Sequence, residues 1–203
     1  MVMYRRCGKR LFDVVASLAL LLVIAPALVV LMLAIFIDDG RPFFFRQWRV
    51  GRHADPFEIL KFRSMRHVET REDGFDAGNA TRVTRVGRWL RTSKLDELPQ
   101  LVNVLRGDMS LVGPRPEVRA WVDARSRQWE KVLGVRPGIT DNASIIYRHE
   151  ERELALQADP EAHYRDVVLP RKLDLYEAYV DHVSARTDLA ILGRTVIGLF
   201  KTT

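Results

Sequence analysis

One stretch of the sequence is almost entirely apolar, and it covers residues 14–37, VVASLALLLVIAPALVVLMLAIFI. Within it only Ser17 is polar, and Pro26 stands near the middle. The apolar core of a secretory signal peptide has about 7–15 residues and precedes a small-residue cleavage site. This stretch is longer and runs into DDGRPFFFRQW, which has no such site. The sequence therefore predicts a segment that enters a membrane.

Length and flanking charge bear on whether this segment crosses the bilayer. As one straight helix it would rise about 36 Å, enough to cross a hydrocarbon core of about 30 Å. Pro26 removes a backbone donor and predicts a kink or break, and each half alone would reach only about 18 Å. Four basic residues lie on each side, which gives no charge bias between the ends: Arg5, Arg6, Lys9 and Arg10 before it, and Arg41, Arg46, Arg49 and Arg52 after it.

These features favour a re-entrant helix–break–helix hairpin with both ends on the cytoplasmic side. A single-pass helix kinked at Pro26 is the alternative, because proline is tolerated in helices that span membranes. The rest of the 203-residue chain is long enough to bury the core of one domain. We therefore divide the sequence into a membrane part, residues 1–40, and a cytoplasmic domain, residues 41–203.

The part beyond the membrane segment mixes short strands with helices. Residues 42–51, PFFFRQWRVG, and 56–65, PFEILKFRSM, are rich in aromatic and branched residues and predict a short β-hairpin around a turn. Residues 70–81 are polar and contain glycine, which predicts a loop. The remainder has helical periodicity without regular alternation of strands and helices, so a parallel nucleotide-binding sheet is not expected. The predicted fold class is α+β, mainly helical.

The last stretch, residues 188–201, is an amphipathic helical sequence, DLAILGRTVIGLFK. A helix packed on the core and a helix lying on the membrane surface both fit its pattern. Because a membrane segment and basic residues accompany it, we expect the C-terminal amphipathic helices to lie on the membrane surface.

Charge and cysteine content limit the classes of partner. The net charge of +6 favours anionic partners such as nucleotides, phosphorylated substrates, nucleic acid or an anionic membrane face. The single cysteine, Cys7, excludes an intrachain disulfide and fits a reducing compartment. The five histidines lack the spacing of a helical zinc site.

Two adjacent acids stand in SKLDELPQL, residues 93–101, and Pro99 predicts that a helix begins there. Asp96 would then lie at or near the N-cap, and simple capping is one explanation of the pair. The surrounding basic residues favour a second explanation, a phosphate site. They are Arg82, Arg85, Arg88, Arg91, Lys94, Arg106 and Arg115. A carboxylate repels phosphate unless it binds a metal or reacts, so one acid could attack phosphorus while its neighbour holds Mg²⁺.

Several ordered motifs resemble those of one family. They are KRLFDVV, KFRSM, LDELPQLVNVLRGDMSLVGPRP and RPGIT, which together cover most of the chain. The sequence closely resembles the bacterial sugar transferases, the monotopic polyprenyl-phosphate phosphoglycosyl transferases, and looks like a small member formed by the catalytic domain alone. It departs from the common pattern at Lys94, where many members carry serine, and after RPGIT, where DNASIIYRHEE replaces GLAQVNGR.

The resemblance implies a reaction in two steps. Asp96 would attack the β-phosphate of a nucleotide diphosphate sugar, with UDP as the expected nucleotide, and hold the phosphosugar covalently. Polyprenyl phosphate, usually undecaprenyl phosphate, would then take the sugar phosphate. Glu97 would bind Mg²⁺, with Asp96 as a second candidate ligand. The residues implied for phosphate binding are Arg91, Arg115, Lys61 and Arg136.

The resemblance also implies a place and partners for the protein. It would start a bacterial surface glycan, such as an exopolysaccharide, at the cytoplasmic face of the inner membrane and contact membrane lipids. Homodimer formation is left open. A non-enzymatic basic adaptor on the membrane is the rival hypothesis, and it requires the acids only as a cap. The membrane segment and the lack of a nucleic-acid motif argue against a nucleic-acid partner.

Overall fold

The computed structural model describes residues 4–66 and 82–200. Its helices are α1 (Lys9–Asp39), α2 (Arg85–Ser93), α3 (Gln100–Arg106), α4 (Arg127–Leu133), α5 (Asn142–Ile146), α6 (Glu150–Ala155), α7 (Pro160–His163), α8 (Leu169–Asp181) and α9 (Ala185–Phe200). Its strands are β1 (Phe44–Val50), β2 (Pro56–Phe62), β3 (Ser110–Val112) and β4 (Gly138–Thr140). The described part is mainly helical, as predicted. The loop predicted at residues 70–81 lies outside the described residues.

The apolar segment forms one helix, α1, which continues through Pro26. It is long and apolar enough to cross a membrane, by length and composition, and only 11% of its most apolar 18 residues are buried. The structure does not divide the segment into two helices at Pro26. A proline removes a single N–H donor, and α1 is held on both sides of it by packing of Ile24 and Leu28 on the domain. The re-entrant hairpin stays a prediction.

Both ends of α1 are bound to the rest of the chain by charged side chains. Near its start, Lys9 Nζ lies 2.6 Å from Oδ2 of the fully buried Asp188 in α9. At its end, the Arg63 guanidinium after β2 donates to the backbone oxygens of Asp39 at 2.6 Å and Gly40 at 3.0 Å. The packing of Leu31 and Ile35 against Phe62 and Leu90 buries apolar surface beside this second contact.

The predicted β-hairpin is confirmed. Strands β1 and β2 are antiparallel, with Phe44 opposite Phe62 and Val50 opposite Pro56. The hairpin is joined to α3 by Asn103, whose side chain accepts from the Leu60 N–H at 3.0 Å and donates to the Glu58 carbonyl at 2.7 Å. This double contact fixes β2 beside α3.

A second pair of strands, β3 and β4, is parallel and brings two of the sequence motifs together. Gly113 of GPRP donates to the Thr140 carbonyl at 3.0 Å, and Gly138 of RPGIT donates to the Pro114 carbonyl at 2.9 Å. A Cβ atom on Gly138 would lie 2.1 Å from the Gly113 nitrogen, so this approach requires glycine. The pairing fixes the backbone directly before Arg115.

The C-terminal helices complete the core. Tyr176 and Tyr179 of α8 and Ile191 of α9 are fully buried or nearly so. Helix α9 packs on the core through Ile191, while Leu189 and Ile197 leave more than half of their surface exposed. The structure therefore shows the core contact of this helix, and its placement on a membrane stays a prediction.

Candidate active site

Asp96 and Glu97 lie in a short 3₁₀ turn, Leu95–Glu97, between α2 and α3. Helix α2 ends at Lys94, whose φ of 59° is in the left-handed region, and Pro99 takes the N-cap position of α3. Asp96 is therefore not the N-cap, and the predicted capping role is wrong. The turn connects two helices and leaves both carboxyl groups available for contacts with β2 and the segment after β3.

Glu97 is paired with two cations. Its Oε1 lies 2.9 Å from Lys61 Nζ and 2.5 Å from an Arg115 Nη atom, and the other Arg115 Nη lies 3.3 Å from Oε2. Burial would raise the pKa of Glu97, but the charges of Arg115 and Lys61 hold it well below its usual value. The Glu97 charge in turn raises the pKa of Arg115. Glu97 is therefore a buried carboxylate that stays ionised and fixes two cations in place.

Asp96, its neighbour, is buried without equivalent partners. Only 8% of its surface is exposed, and its Oδ1 has no hydrogen-bond partner within residues 4–66 and 82–200. Burial raises the pKa of Asp96, the charge of Lys61 opposes this rise and that of Glu97 adds to it. Asp96 thus differs from Glu97 in having a buried oxygen whose lone pairs no described residue uses.

Contacts outside the acid pair position these cations. The backbone N–H of Arg115 donates to Oδ2 of the buried Asp141 at 3.0 Å. The Asp141 side chain also caps α5 by accepting from the Ser144 N–H. Arg49 of β1 donates to the carbonyl of Pro116, the residue after Arg115, at 3.2 Å. Burial lowers the pKa of Arg49, against the charge of Glu117. In the sequence, Arg49 is only one of the basic residues that flank the apolar segment, because no local spacing connects it with the acid pair.

Arg91 forms a separate pair with Glu151 of α6. The Arg91 Nη lies 2.5 Å from Glu151 Oε2, and 66% of the Glu151 side chain is exposed. Desolvation raises the pKa of Glu151, but Arg91, followed by Lys94 and Lys61, lowers it overall. Glu151 is therefore paired with Arg91, the residue that the resemblance assigns to phosphate binding. Sequence reasoning missed Glu151; the only signal was the run of acids in RHEERE, residues 148–153, at the end of the atypical segment.

We expect Glu151→Gln to lower the KM for a nucleotide sugar about two- to fivefold, because an exposed ion pair contributes up to about 1 kcal/mol and its loss frees Arg91 for phosphate. Steady-state kinetics with the donor varied would measure this change. Glu153→Gln, on the exposed face of the same helix, is the matched control and should leave KM unchanged. An increase in KM for Glu151→Gln would show that Glu151 assists donor binding.

Arg136 is not brought to this cluster. Its Nε donates to the Gly107 carbonyl at 2.8 Å, at the opposite end of α3 from the acid pair. The charged groups that act on it are Arg10, Arg52 and Asp13 rather than Glu97. Its predicted phosphate contact therefore has no support from the geometry.

The predicted Mg²⁺ can be compared with the donor atoms present. No cluster of three or more histidine, cysteine or acidic side chains suited to a metal occurs in the described ranges. Mg²⁺ in phosphate sites needs only one or two carboxylates, and water and phosphate oxygens complete its coordination. Asp96 and Glu97 fit such a partial site. Asp96 Oδ1 is the unshared ligand atom, while Glu97 would have to share its oxygens with Lys61 and Arg115.

The chain combines an exposed apolar helix with a small domain that holds a buried acid pair among cations. This combination is typical of membrane-associated proteins with a site for phosphorylated ligands. Comparison with known proteins agrees with this description. The family model for the bacterial sugar transferases matches residues 4–202. The chain belongs to the bacterial sugar transferase family.

Relatives within the family differ in length. The uncharacterized sugar transferase EpsL of Bacillus subtilis is 36% identical over 188 residues, which are 93% of this chain and 85% of the relative. The UDP-glucose:undecaprenyl-phosphate glucose-1-phosphate transferase of Caulobacter vibrioides is 49% identical over 144 residues, 68% of this chain and 53% of the relative. The UDP-galactose-lipid carrier transferase of Erwinia amylovora is 34% identical over 205 residues, 93% of this chain and 39% of the relative. The chain thus spans about half or less of the length of the last two relatives.

Proposed function

We propose that this protein transfers a sugar 1-phosphate from a UDP-sugar to undecaprenyl phosphate through a covalent phosphosugar on Asp96. Relatives named as UDP-glucose:undecaprenyl-phosphate and UDP-galactose-lipid carrier transferases support the two substrate classes. The observation that carries the proposal is the contrast between the two acids. Glu97 is paired with two cations, whereas Asp96 has a buried oxygen without a partner among the described residues.

In the first step, Asp96 Oδ1 forms a bond to the β-phosphorus of the donor. The bond from that phosphorus to the bridging oxygen breaks, and UMP leaves with the electron pair. In the second step, an oxygen of undecaprenyl phosphate attacks the same phosphorus and the Asp96 carboxylate leaves. The product is a sugar linked to the lipid by a diphosphate. Two displacements at one phosphorus require only one nucleophile on the protein, and Asp96 is the acid of the pair whose Oδ1 has no partner among the described residues.

The cations assist both steps by neutralising phosphate charge. Lys61 and Arg115 stand on one side of the acid pair, held there by Glu97. Arg91 lies on α2 and becomes available when its exposed pair with Glu151 opens. Fixed cations at a transferring phosphoryl group stabilise its transition state without reorganisation. A bound Mg²⁺, held by Glu97, would add charge neutralisation on the phosphate oxygens.

We also propose that α1 enters the membrane without crossing it, so that the site faces the cytoplasm at the inner membrane. Side chains such as Leu22, Val23 and Ile37 leave at least 70% of their surface exposed and would contact lipid. Both ends of α1 bind the folded domain, through Lys9–Asp188 and Arg63–Asp39. Between these ends, Ile24 and Leu28 also pack on the domain. A domain that binds α1 along its length favours a helix that stays on one side of the bilayer over a helix that crosses it.

The topology has a direct test. A cysteine-labelling or protease-accessible tag at residue 1 and another after residue 203 should both be reached from the cytoplasmic side in inverted membrane vesicles, and neither in sealed cells. The second tag reports the side of the catalytic domain and is the control for vesicle orientation. A first tag reached only from the periplasm would exclude the re-entrant arrangement and support a single-pass helix.

The reaction is tested without the lipid acceptor. Purified protein is mixed with Mg²⁺ and each of several UDP-sugars, and intact-protein and peptide mass spectrometry follow the added mass of a sugar phosphate. We expect an adduct on Asp96 with at least one donor, together with release of UMP. The donors that form it identify the sugar. Absence of the adduct with every donor, while UMP is still released in the presence of lipid, would contradict the covalent mechanism.

A further inference from the structure

Gln100, the first residue of α3, carries a second unsatisfied polar group near the acid pair. Only 1% of its surface is exposed, and its Nε2 has no hydrogen-bond partner in the part of the chain that the structure describes. Buried donors in folded proteins are almost always satisfied, so an orphaned amide nitrogen beside a reactive carboxylate calls for an explanation. Neither the motif comparison nor the ion pairs described above assign it a role.

Gln100 begins α3, four residues after Asp96, which lies in the turn before this helix. Both residues are buried, and so is Asn103 of α3, which binds the backbone of β2, the strand that carries Lys61. Side chains of a helix lean toward its N-terminus, so the Gln100 side chain is directed toward the turn that contains Asp96.

Two complementary atoms, on side chains four residues apart, thus have no partners in the described chain. Asp96 Oδ1 is an acceptor and a nucleophile, and Gln100 Nε2 is a donor. A transferring phosphoryl group would satisfy both, because it presents phosphorus to the carboxylate and non-bridging oxygens to the amide. We infer that Gln100 is a further catalytic residue, whose Nε2 donates a hydrogen bond to a non-bridging oxygen of the phosphoryl group as it moves onto and off Asp96. This inference rests on the function proposed above.

A neutral donor suits this position better than a cation. Lysine or arginine next to Asp96 would form an ion pair with it, as Lys61 and Arg115 do with Glu97. Such a pair would occupy the Asp96 lone pairs before substrate arrives. The amide of Gln100 can contribute to the charged transition state while the Asp96 oxygen stays free, and its hydrogen bond becomes stronger as negative charge develops on the phosphoryl oxygens.

The test replaces the amide with groups of similar size. Gln100→Met removes the donor, and Gln100→Glu directs a carboxylate at the phosphoryl oxygens. Gln128→Met is the matched control, since Gln128 of α4 binds Asp174 and Glu177 outside the site. Single-turnover adduct formation is measured by mass spectrometry, with the UDP-sugar Kd and the melting temperature measured separately. We expect Gln100→Met to slow adduct formation about 10²- to 10³-fold, with Kd changed less than threefold and no loss of melting temperature. Gln100→Glu should be slower still.

Each other outcome overturns a defined part of the proposal. Wild-type rates in Gln100→Met or Gln100→Glu would exclude catalysis by Gln100, as would a loss confined to Kd. If Gln100→Met shifts only the acidic limb of the pH dependence of adduct formation and leaves the maximal rate unchanged, Gln100 acts only on the ionisation of Asp96. Wild-type protein is assayed first with the same donors. No wild-type adduct overturns the proposed function as well, whereas a wild-type adduct formed equally fast by Gln100→Met overturns only the role of Gln100.

Discussion

Asp96→Asn is expected to abolish the phosphosugar adduct and to reduce overall transfer by at least about 10⁴-fold. The amide has nearly the shape of the carboxylate but is not a nucleophile toward phosphorus, and losing a covalent nucleophile typically costs a rate factor of this size. The loss should appear in both half-reactions, because the same atom accepts and releases the phosphoryl group. Adduct mass and UMP release in single-turnover experiments would measure it.

The stability of this variant provides its control. Asp96 Oδ1 accepts no hydrogen bond from the described residues, so the substitution breaks no contact at that atom. Replacement of a buried carboxyl group whose pKa is raised by burial removes a desolvation cost. We therefore expect a melting temperature equal to or above that of the wild type. Full transfer by a well-folded Asp96→Asn protein would contradict the covalent mechanism and favour the adaptor hypothesis.

Arg115→Met has the second largest expected effect, on both stability and rate. It leaves Glu97 buried with Lys61 as its remaining cation, and breaking a buried ion pair from one side costs about 3–5 kcal/mol. Because Lys61 remains 2.9 Å from Oε1, we expect a loss near the lower end, about 3 kcal/mol in the free energy of unfolding. Removal of the cation from the phosphate site should also lower the transfer rate about 10²- to 10³-fold. Denaturant unfolding in detergent and single-turnover kinetics would measure the two effects.

A triple variant separates these two effects. Arg115→Met combined with Glu97→Leu and Lys61→Met removes the carboxylate and both cations that pair with it, so no member of this cluster is left as an unpaired buried charge, and the stability should largely return. The transfer rate should not return, because the phosphate site still lacks its cations. Equal stability of the single and triple variants would show that the charge left unpaired by Arg115→Met costs the fold little. Recovery of the rate in the triple variant would exclude Arg115 and Lys61 from the reaction.

Local sequence patterns could predict part of this structure. The β-hairpin followed from its two runs of aromatic and branched residues, and the acid pair stood out among basic residues. The capping role of Asp96 failed because Lys94 ends α2 in a left-handed conformation, and a single sequence does not reveal this. The ionisation and pairing of each acid also could not be predicted from the sequence. They depend on Lys61 and Arg115, which lie 36 and 18 residues away from Glu97.

Long-range pairing explains the residues that sequence reasoning assigned incompletely. Arg136 is the first residue of the RPGIT motif, yet its guanidinium donates to the Gly107 carbonyl, away from the acid pair. Glu151 meets Arg91 only because α6 lies beside α2, 60 residues away in the chain. Gln100 belongs to the same motif as the acids, but its importance depends on a missing partner. Such an absence can be recognised only when the surrounding atoms are known.

The attachment of α1 at both ends has a consequence for attempts to obtain a water-soluble enzyme by shortening the chain. Leu31 and Ile35 cover Phe62 and Leu90, and the end of α1 supplies the oxygens that bind Arg63, two residues after Lys61. A chain that starts after Gly40 would lose this cover directly beside the catalytic strand. Solubility is therefore better sought by substitution of the exposed apolar side chains of α1, because this helix also supports the strand that carries Lys61.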